Sequence, residues 1–161
     1  MRTMNVVAAS LLALSLTACS APKEREFGQA DLAALKTLLQ EFVVTYNAAD
    51  AAKVASFFAG TAVVMPPNAS SVRGVEPIEQ YYVGRFAEGA SDLSLEPRDI
   101  SGAGTIAYVS GDYRLNMAPP GGQERRDRGK FLFVFRDLRG SWKLEYLMFS
   151  SDFPPVVPST N

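Results

Sequence analysis

The sequence predicts an α+β domain in which three helices precede an antiparallel sheet. Up to Gly89 the apolar residues recur at the spacing of amphipathic helices, and beyond Ser91 they alternate in short runs typical of strands. Turn-forming residues separate these runs, and no internal repeat interrupts the order. We therefore expect one domain over residues 31–153, a size that supports one hydrophobic core.

The first helix is predicted to begin at Asp31. From there apolar residues recur three or four positions apart, at Leu32, Leu35, Leu39, Phe42 and Tyr46. Residues 47–50 interrupt this pattern, and the carboxylate of Asp50 is placed to cap a second, short helix that extends through Phe58. Gly60 is placed to end that helix.

A short strand is predicted from Ala62 to Met65, because Pro66 and Pro67 follow it and halt its continuation. After a loop, Pro77 suits the first turn of a third helix. The apolar positions of that helix are Ile78, Tyr81, Tyr82 and Phe86. Gly89 stands where the helix should end.

Four strands follow the helices. Leu93 and Leu95 open the first, and residues 105–117, 126–136 and 141–150 form the others. Two prolines and two glycines at 119–122 indicate a turn between the second and third of these strands. Residues 138–140 fit a three-residue hairpin loop between the last two. Such short connections predict an antiparallel meander.

The start of the chain has the composition of a secretory signal, with Arg2 before an apolar run from Val6 to Leu16 that is too short to span a bilayer. Leu16-Thr17-Ala18-Cys19 resembles the lipobox of bacterial lipoproteins. The resemblance implies a signal peptide over residues 1–18 and lipidation of Cys19. Ser20 then favours the outer membrane facing the periplasm in a Gram-negative source. The alternative is an amphipathic helix that ends in an ordinary free thiol.

Two polar segments are predicted to flank the domain. Residues 19–30 comprise the lipidated cysteine and a tether, and the ten residues from Ser20 to Gln29 reach roughly 35 Å when fully stretched. Residues 154–161 form a C-terminal tail. In this arrangement the domain contacts the membrane only through the lipid anchor, in the bacterial cell envelope.

Composition excludes much common chemistry. The chain has no histidine and one cysteine, so it cannot assemble a Ser-His-Asp or Cys-His site or an intramolecular disulfide. We expect no metal and no cofactor, and any proton transfer falls to carboxylate, tyrosine or lysine. The formal net charge is −1, which does not favour nucleic acid as a partner.

Several motifs together resemble the SnoaL-like and ketosteroid isomerase-like families of the nuclear transport factor 2-like superfamily. They are Tyr46-Asn47-Ala48-Ala49-Asp50, Met65-Pro66-Pro67-Asn68, the segment Val72 to Ile78, Asp127-Arg128-Gly129-Lys130-Phe131 and Gly140-Ser141-Trp142-Lys143. The resemblance implies a cone in which a curved sheet wraps around helices and leaves a pocket open at one end. It also implies a possible homodimer through the outer sheet face. Because members range from enzymes to binding modules, the fold alone does not assign an activity.

The mechanism of the ketosteroid isomerases does not transfer to this chain. Those enzymes use an oxyanion-hole tyrosine, a general-base aspartate and a protonated aspartate, and the corresponding positions here are Phe42, Pro66 and Gly129. None of these side chains donates or accepts the required proton.

Strand alternation predicts which residues share the concave face. A turn centred between Pro120 and Gly121 would pair Arg114 with Asp127, and the loop at 138–140 would pair Phe133 with Glu145. The face so defined comprises Ser110, Asp112, Arg114, Asp127, Phe131, Phe133, Glu145, Leu147 and Phe149. Apolar walls with a few polar groups are typical of a site for a small apolar or amphipathic molecule.

Three carboxylates on this face are candidate catalytic groups. Asp112 and Asp127 flank Arg114 in a set similar to the aspartate-arginine-aspartate set of limonene epoxide hydrolase-like members, although the order along the strand is reversed. The alternative is a cross-strand salt bridge near an exposed hairpin end. Glu145 becomes a proton donor if it is desolvated, and otherwise lies near the rim.

The remaining predicted ligand contacts are Arg114, Phe131, Phe133, Leu147 and Phe149 on the sheet and Tyr46, Met65, Tyr82 and Phe86 on the helical side. The helical set equally suits core packing. Three functions stay open from the sequence. The first is small-molecule binding by an envelope lipoprotein. The second is a hydratase, hydrolase or cyclase-like enzyme that uses the pocket carboxylates with Arg114. The third is a non-catalytic homodimeric interaction module.

Overall fold

A computed structural model describes residues 25–154 of the chain. The predicted signal peptide, Cys19, most of the tether and the tail from residue 155 onward lie outside the described residues. Within residues 25–154, no helix is long and apolar enough to cross a membrane.

The helices begin and end close to the predicted positions. They are α1 (Gln29–Asn47), α2 (Ala51–Ala55) and α3 (Val75–Ala87). The Asp50 carboxylate accepts a hydrogen bond of 2.9 Å from the Lys53 amide and caps α2, as predicted. Helix α2 is shorter than expected because Phe58 already belongs to the first strand. Gly89 adopts a φ of 77° just after α3, where a residue with a side chain would be strained.

Six strands form one sheet: β1 (Phe58–Met65), β2 (Val72–Arg73), β3 (Ala90–Ala103), β4 (Ile106–Met117), β5 (Arg125–Asp137) and β6 (Trp142–Ser151). Their spatial order is β2-β1-β6-β5-β4-β3. The strands β3 to β6 form the predicted antiparallel meander. Strand β1 pairs with β6 in parallel, so the sheet is mixed where the sequence predicted only antiparallel pairs.

The core lies between the helices and the inner face of this sheet. Phe42 of α1 is fully buried, and its ring centroid lies 5.6 Å from that of Phe133 on β5 in an edge-to-face arrangement. Other fully buried side chains are Leu35, Val54, Val64, Ile78, Tyr82, Val109, Phe135, Leu144 and Leu147. The predicted α+β class, with helices packed on a curved sheet, is confirmed.

The register of β4 against β5 differs from the prediction by one residue. Arg114 lies opposite Arg128, and Asp127 lies opposite Leu115. A shift of one residue moves a whole strand's side chains to the other face. Tyr113 and Leu115 therefore point inward and are buried, whereas Arg114 lies on the outer face.

A bulge in β6 changes the face of Glu145. Phe133 pairs with Leu147, not with Glu145, and the register shifts between Val134 and Phe135. Glu145 accepts a hydrogen bond of 2.7 Å from Arg136 Nε on the outer side of the sheet. It therefore does not share the concave face with Phe133.

Candidate functional site

One end of the sheet carries an open cavity of about 650 Å³. The cavity lies among the C-terminal ends of α1 and α3, the loop after β1, the start of β5 and the end of β6. Its lining comprises Tyr46, Pro66, Pro67, Asn68, Ala69, Gln80, Tyr81, Tyr82, Gly84, Arg85, Glu88, Leu93, Tyr113, Leu115, Arg125, Asp127, Phe149, Ser151, Phe153 and Pro154. This volume accommodates a small organic molecule.

Aromatic rings form the deeper walls of the cavity. Tyr46 and Tyr82 pack edge to face with their centroids 6.0 Å apart, and they form the helical wall. Tyr113 and Phe149 pack edge to face at 5.2 Å on the sheet wall. Edge-to-face packing of this kind stabilises these ring positions beyond the effect of burial alone.

Asp127 is the carboxylate that the sheet brings to the cavity. Its Oδ2 accepts a hydrogen bond of 3.1 Å from the Tyr113 hydroxyl. Its Oδ1 accepts one of 2.6 Å from the Ser151 hydroxyl and one of 2.9 Å from the Arg128 amide. Three donors from two strands therefore fix the orientation of this carboxylate.

The phenol of Tyr113 is a donor at all ordinary pH values. Burial raises its pKa, and the neighbouring negative charge of Asp127 raises it further. The hydrogen bond to Asp127 acts in the same direction because it stabilises the protonated phenol. Tyr113 therefore keeps its proton and holds Asp127 in place.

Arg85 brings a positive charge to the helical wall. It lies in the last turn of α3, and its side chain is 24 % exposed. Among the described residues its one ion pair is with Glu88 at 3.6 Å, and the Glu88 side chain is 64 % exposed. An exposed pair at that distance neutralises little of the guanidinium charge.

The tyrosines around Arg85 remain protonated. Burial raises the pKa of Tyr46, Tyr81 and Tyr82, and the positive charge of Arg85 opposes this shift in each case. The hydroxyl of Tyr82 is buried and has no hydrogen-bond partner among the described residues. A buried hydroxyl without a partner is costly, so an acceptor atom from a ligand or from an ordered water would stabilise it.

The structure brings four of the sequence-predicted site residues to the cavity: Tyr46, Tyr82, Asp127 and Phe149. Three others, Phe131, Phe133 and Leu147, face inward as expected but are buried in the core beyond the cavity lining. Phe86 packs edge to face against Tyr46 at 5.0 Å and does not line the cavity.

Four predicted site residues lie on the outer face of the sheet, contrary to the expectation. The register of β4 places Asp112 and Arg114 on this outer face. Asp112 accepts a hydrogen bond of 2.8 Å from Arg98 Nε, and the Arg114 side chain is 69 % exposed. Glu145 is turned outward by the bulge in β6. Met65 lies opposite Met148, an exposed residue of the outer face. The predicted set of Asp112, Arg114 and Asp127 is therefore not assembled.

Arg85, Tyr113 and Ser151 line the cavity but were not predicted from the sequence. Arg85 follows Tyr82 by three positions, so helical spacing alone places the two on one face of α3 and offered a usable signal. Tyr113 and Ser151 depend on the register of β4 and β6, which the sequence does not specify. Among residues 25–154, no three side chains of the kinds that bind metal ions cluster together.

The chain matches the protein family described as SnoaL-like domain over residues 39–142. No protein with a curated description matches it by sequence. Among solved structures it is similar to a ketosteroid isomerase-like protein from Erwinia carotovora atroseptica SCRI1043, with 19 % identity and a TM-score of 0.72 over 79 % of this chain and 100 % of that chain.

Two further solved structures share the fold. A conserved protein from Planctomyces limnophilus has 19 % identity and a TM-score of 0.68, covering 77 % of this chain and 99 % of that one. An NTF2-like protein with a cystatin-like fold from Novosphingobium aromaticivorans has 13 % identity and a TM-score of 0.62, covering 78 % and 90 %. At these identities the similarity establishes the fold and not the activity.

Proposed function

The chain belongs to the family of SnoaL-like domains, and we propose that it is an envelope lipoprotein whose domain binds a small amphipathic molecule in the cavity. The observation that carries this proposal is the lining itself. Aromatic rings form the walls, and the lining also includes the charged groups of Arg85 on α3 and Asp127 on β5. Apolar walls with a few oriented polar groups are the usual composition of small-molecule sites.

The start of the described chain is attached at the end of the sheet opposite the cavity. Arg25 donates a hydrogen bond of 2.6 Å from Nη1 to the Gly104 carbonyl, and its Nε lies 3.2 Å from Asp137 Oδ2. Its guanidinium also lies 5.1 Å from the Trp142 ring centroid. Asp137 ends β5, whereas the cavity residue Asp127 lies near the beginning of that strand.

This geometry supports a defined orientation of the lipoprotein. The six Cα-to-Cα steps from Cys19 to Arg25 span at most roughly 20 Å, whereas the 13 residues of β5 extend over roughly 40 Å. A lipid on Cys19 would therefore lie near the end of the sheet opposite the cavity. The cavity would open away from the membrane, toward the periplasm, and exchange its ligand with solution.

Labelling with palmitate tests the anchor. We expect cells that express the wild-type chain to incorporate label into the protein, and the variant Cys19→Ser to lose it, since the chain has no other cysteine. Label that persists in the variant would exclude Cys19 as the lipidated residue.

Native mass spectrometry of protein extracted from the envelope tests the binding function. We expect a non-covalent mass that disappears in Ala69→Trp, because Ala69 lies exposed at the cavity mouth and the indole would occlude it. The matched control is Leu138→Trp, an exposed position in the hairpin at the opposite end. A bound mass that survives Ala69→Trp would place the ligand elsewhere, and the lack of any bound mass would contradict the proposal.

An enzymatic function is the second candidate, and the position of Asp127 favours it. Asp127 is the one predicted catalytic carboxylate that reaches the cavity, and Tyr113 and Ser151 orient it. A carboxylate so placed can accept a proton from water or from a hydroxyl group bound in the cavity. Asp127→Asn should then abolish turnover of a responsive epoxide or enone, whereas Asp112→Asn should retain it. Equal rates in all three proteins would exclude this role.

A homodimeric interaction module is the third candidate, and the outer sheet face favours it. Tyr108, Tyr146 and Met148 are exposed there and flank the half-buried Leu132 and Val134. An exposed apolar row of this kind suits a second copy of the chain. Light scattering should show a dimer that Tyr146→Arg dissociates and that Val44→Arg, on α1, leaves intact. A monomer at all concentrations would contradict this interface.

A further inference from the structure

We propose that the ligand of the cavity is an oxyanion-bearing amphipathic molecule whose acidic group is held by Arg85 on the helical wall. The inference rests on the proposed binding function and adds the chemical class and the direction of the ligand. Three features of the cavity support it: the weakly paired guanidinium of Arg85, the phenol donors beside it, and the carboxylate of Asp127 on the sheet wall.

The guanidinium of Arg85 has the capacity to bind an anion. Its ion pair with Glu88 is 3.6 Å long, beyond the length of a strong hydrogen bond, and the Glu88 side chain, which also borders the cavity, is 64 % exposed. Arginine presents its donors in a planar fork that matches a carboxylate, sulfonate or phosphate. A ligand oxyanion would therefore bind Arg85 in preference to the loosely held Glu88.

The hydroxyl groups of Tyr46 and Tyr82 provide neutral donors beside this cation. Both residues line the cavity together with Arg85, and both are almost completely buried. The hydroxyl of Tyr82, which has no hydrogen-bond partner within residues 25–154, is the second observation that points to a ligand, because an acceptor atom nearby would satisfy it. A cation and two phenols on one wall form a surface that prefers negative oxygen atoms.

The facing wall fixes the direction of the ligand. Asp127 is held there as an acceptor by Tyr113 and Ser151. Its negative charge repels an acidic group and favours a hydroxyl or another donor. The acidic end of a bound molecule therefore points toward α3, and its apolar body lies between the aromatic rings.

Two fluorescent probes with the same ring system test the preference for an anion. Anilinonaphthalene sulfonate carries an oxyanion, and phenylnaphthylamine is its neutral counterpart. We expect the sulfonate to bind the wild-type protein more tightly. Arg85→Gln should weaken sulfonate binding by about 10- to 100-fold, the usual contribution of a charge-assisted hydrogen bond, and should leave phenylnaphthylamine binding unchanged.

Three further variants complete the design. Arg126→Gln removes an exposed charge outside the cavity and should change neither affinity. Arg85→Lys keeps the charge without the fork, and its affinity for the sulfonate should lie between those of wild type and Arg85→Gln. Circular dichroism will show whether Arg85→Gln folds. If it does not fold, the sulfonate affinity of Arg85→Lys still tests the role of the guanidinium. Ala69→Trp should weaken both probes if both occupy the cavity.

The outcomes separate this inference from the proposed function. In one outcome both probes bind, Ala69→Trp weakens the binding of both, and Arg85→Gln changes the binding of neither. The cavity would then bind small molecules without selection of an anion by Arg85, and the inference would be overturned. If Ala69→Trp has no effect on either probe, the cavity is not the binding site and the proposed function itself fails. Equal losses in Arg85→Gln and Arg126→Gln would indicate general surface charge and would also overturn the inference.

Discussion

Tyr113 and Asp127 lie on neighbouring strands at diagonal positions, and the Tyr113 hydroxyl donates a hydrogen bond of 3.1 Å to Asp127 Oδ2. Directly opposite Tyr113 is Gly129, and directly opposite Asp127 is Leu115. This bond connects the buried aromatic core with the polar end of the cavity. Stability and ligand chemistry therefore depend on the same pair of side chains.

Removal of the Asp127 carboxylate should destabilise the fold far more than removal of Asp112. Asp127→Ala leaves the hydroxyls of Tyr113 and Ser151 without their acceptor, and we expect a loss of about 1–3 kcal/mol in the free energy of unfolding. Asp112→Ala breaks an exposed pair with Arg98 and should cost less than about 1 kcal/mol. Urea unfolding, followed by the fluorescence of Trp142, measures both. Equal losses would contradict the register described for β4 and β5.

Two tyrosine variants should act in opposite directions. Tyr113→Phe removes the donor to Asp127 and should lower the free energy of unfolding by about 0.5–1.5 kcal/mol. Tyr82→Phe removes a buried hydroxyl that has no partner among the described residues, so the ligand-free protein should be as stable as wild type or more stable. Thermal unfolding of ligand-free protein compares them. A large loss in Tyr82→Phe would show that its hydroxyl has a partner.

Gly129 tolerates no side chain. A Cβ atom at this position would lie 1.9 Å from the Ser150 carbonyl oxygen, whereas one at Gly60 of β1 meets nothing within 4 Å. We expect Gly129→Ala to cost at least about 1–3 kcal/mol, because β5 and β6 must separate, and Gly60→Ala to be nearly neutral. The urea midpoints of the two variants are compared with that of wild type. A Gly129→Ala variant as stable as wild type would contradict the close approach of β5 and β6.

Local periodicity explains why the helices could be predicted from the sequence. Leu35, Leu39 and Phe42 recur at helical spacing and are all buried on one face of α1. Capping by Asp50 is likewise a local interaction, since its partner is the Lys53 amide. Features that depend on neighbouring residues along the chain are encoded within short segments, and the sequence therefore reveals them.

The composition of the cavity depended on strand register, which the sequence did not determine. The loop between Met117 and Arg125 allows more than one turn centre. Because the observed register of β4 differs by one residue from the predicted one, Tyr113 and Leu115 occupy the inner face in place of Asp112 and Arg114. In β6 the residues that follow the bulge, Tyr146 to Phe149, are apolar on both faces, so the alternation beyond Glu145 did not reveal the change of face. The parallel pairing of β1 with β6 joins segments far apart in the chain, and local patterns do not report such contacts.

Asp31 should stabilise the fold only above acidic pH. The hydrogen bond from the Gly28 amide lowers the pKa of Asp31, and the Trp142 indole and Arg25 add to this effect. A pKa that is lower in the folded state gives stability above the unfolded-state value of about 4, and this stability is lost as the pH falls through the folded-state value.

The variant Asp31→Asn measures this contribution. We expect it to unfold at a lower temperature than wild type at neutral pH, and the difference should shrink below about pH 4 as Asp31 itself becomes protonated. The matched control is Asp112→Asn, whose carboxylate lies on the outer face of the sheet. A difference between Asp31→Asn and wild type that is constant from neutral to strongly acidic pH would show that charge is not the cause.

Buried phenols should make the protein sensitive to alkali. Five of the six tyrosines have a raised pKa, and in Tyr46, Tyr81, Tyr82 and Tyr113 burial is the largest cause. Below the unfolded-state pKa of about 10, both states keep these protons and the stability is complete. Above it the unfolded chain loses protons that the folded chain retains, and the free energy of unfolding falls by up to about 1.4 kcal/mol per pH unit for each of the four buried phenols, those of Tyr46, Tyr81, Tyr82 and Tyr113.

We therefore expect the urea midpoint to fall steeply above about pH 10, and tyrosinate absorbance to rise together with the loss of circular dichroism. Tyr82→Phe removes one fully buried phenol and should make the fall less steep, while a substitution at the exposed Val44 should not. Because five of the six tyrosines are expected to resist ionisation in the folded state, the ionisation of more than one tyrosine in a still-folded protein near pH 10 would contradict the burial of these hydroxyls. The same titration in the presence of a bound oxyanion should begin to unfold the protein at higher pH, because a ligand that binds only the folded state stabilises it.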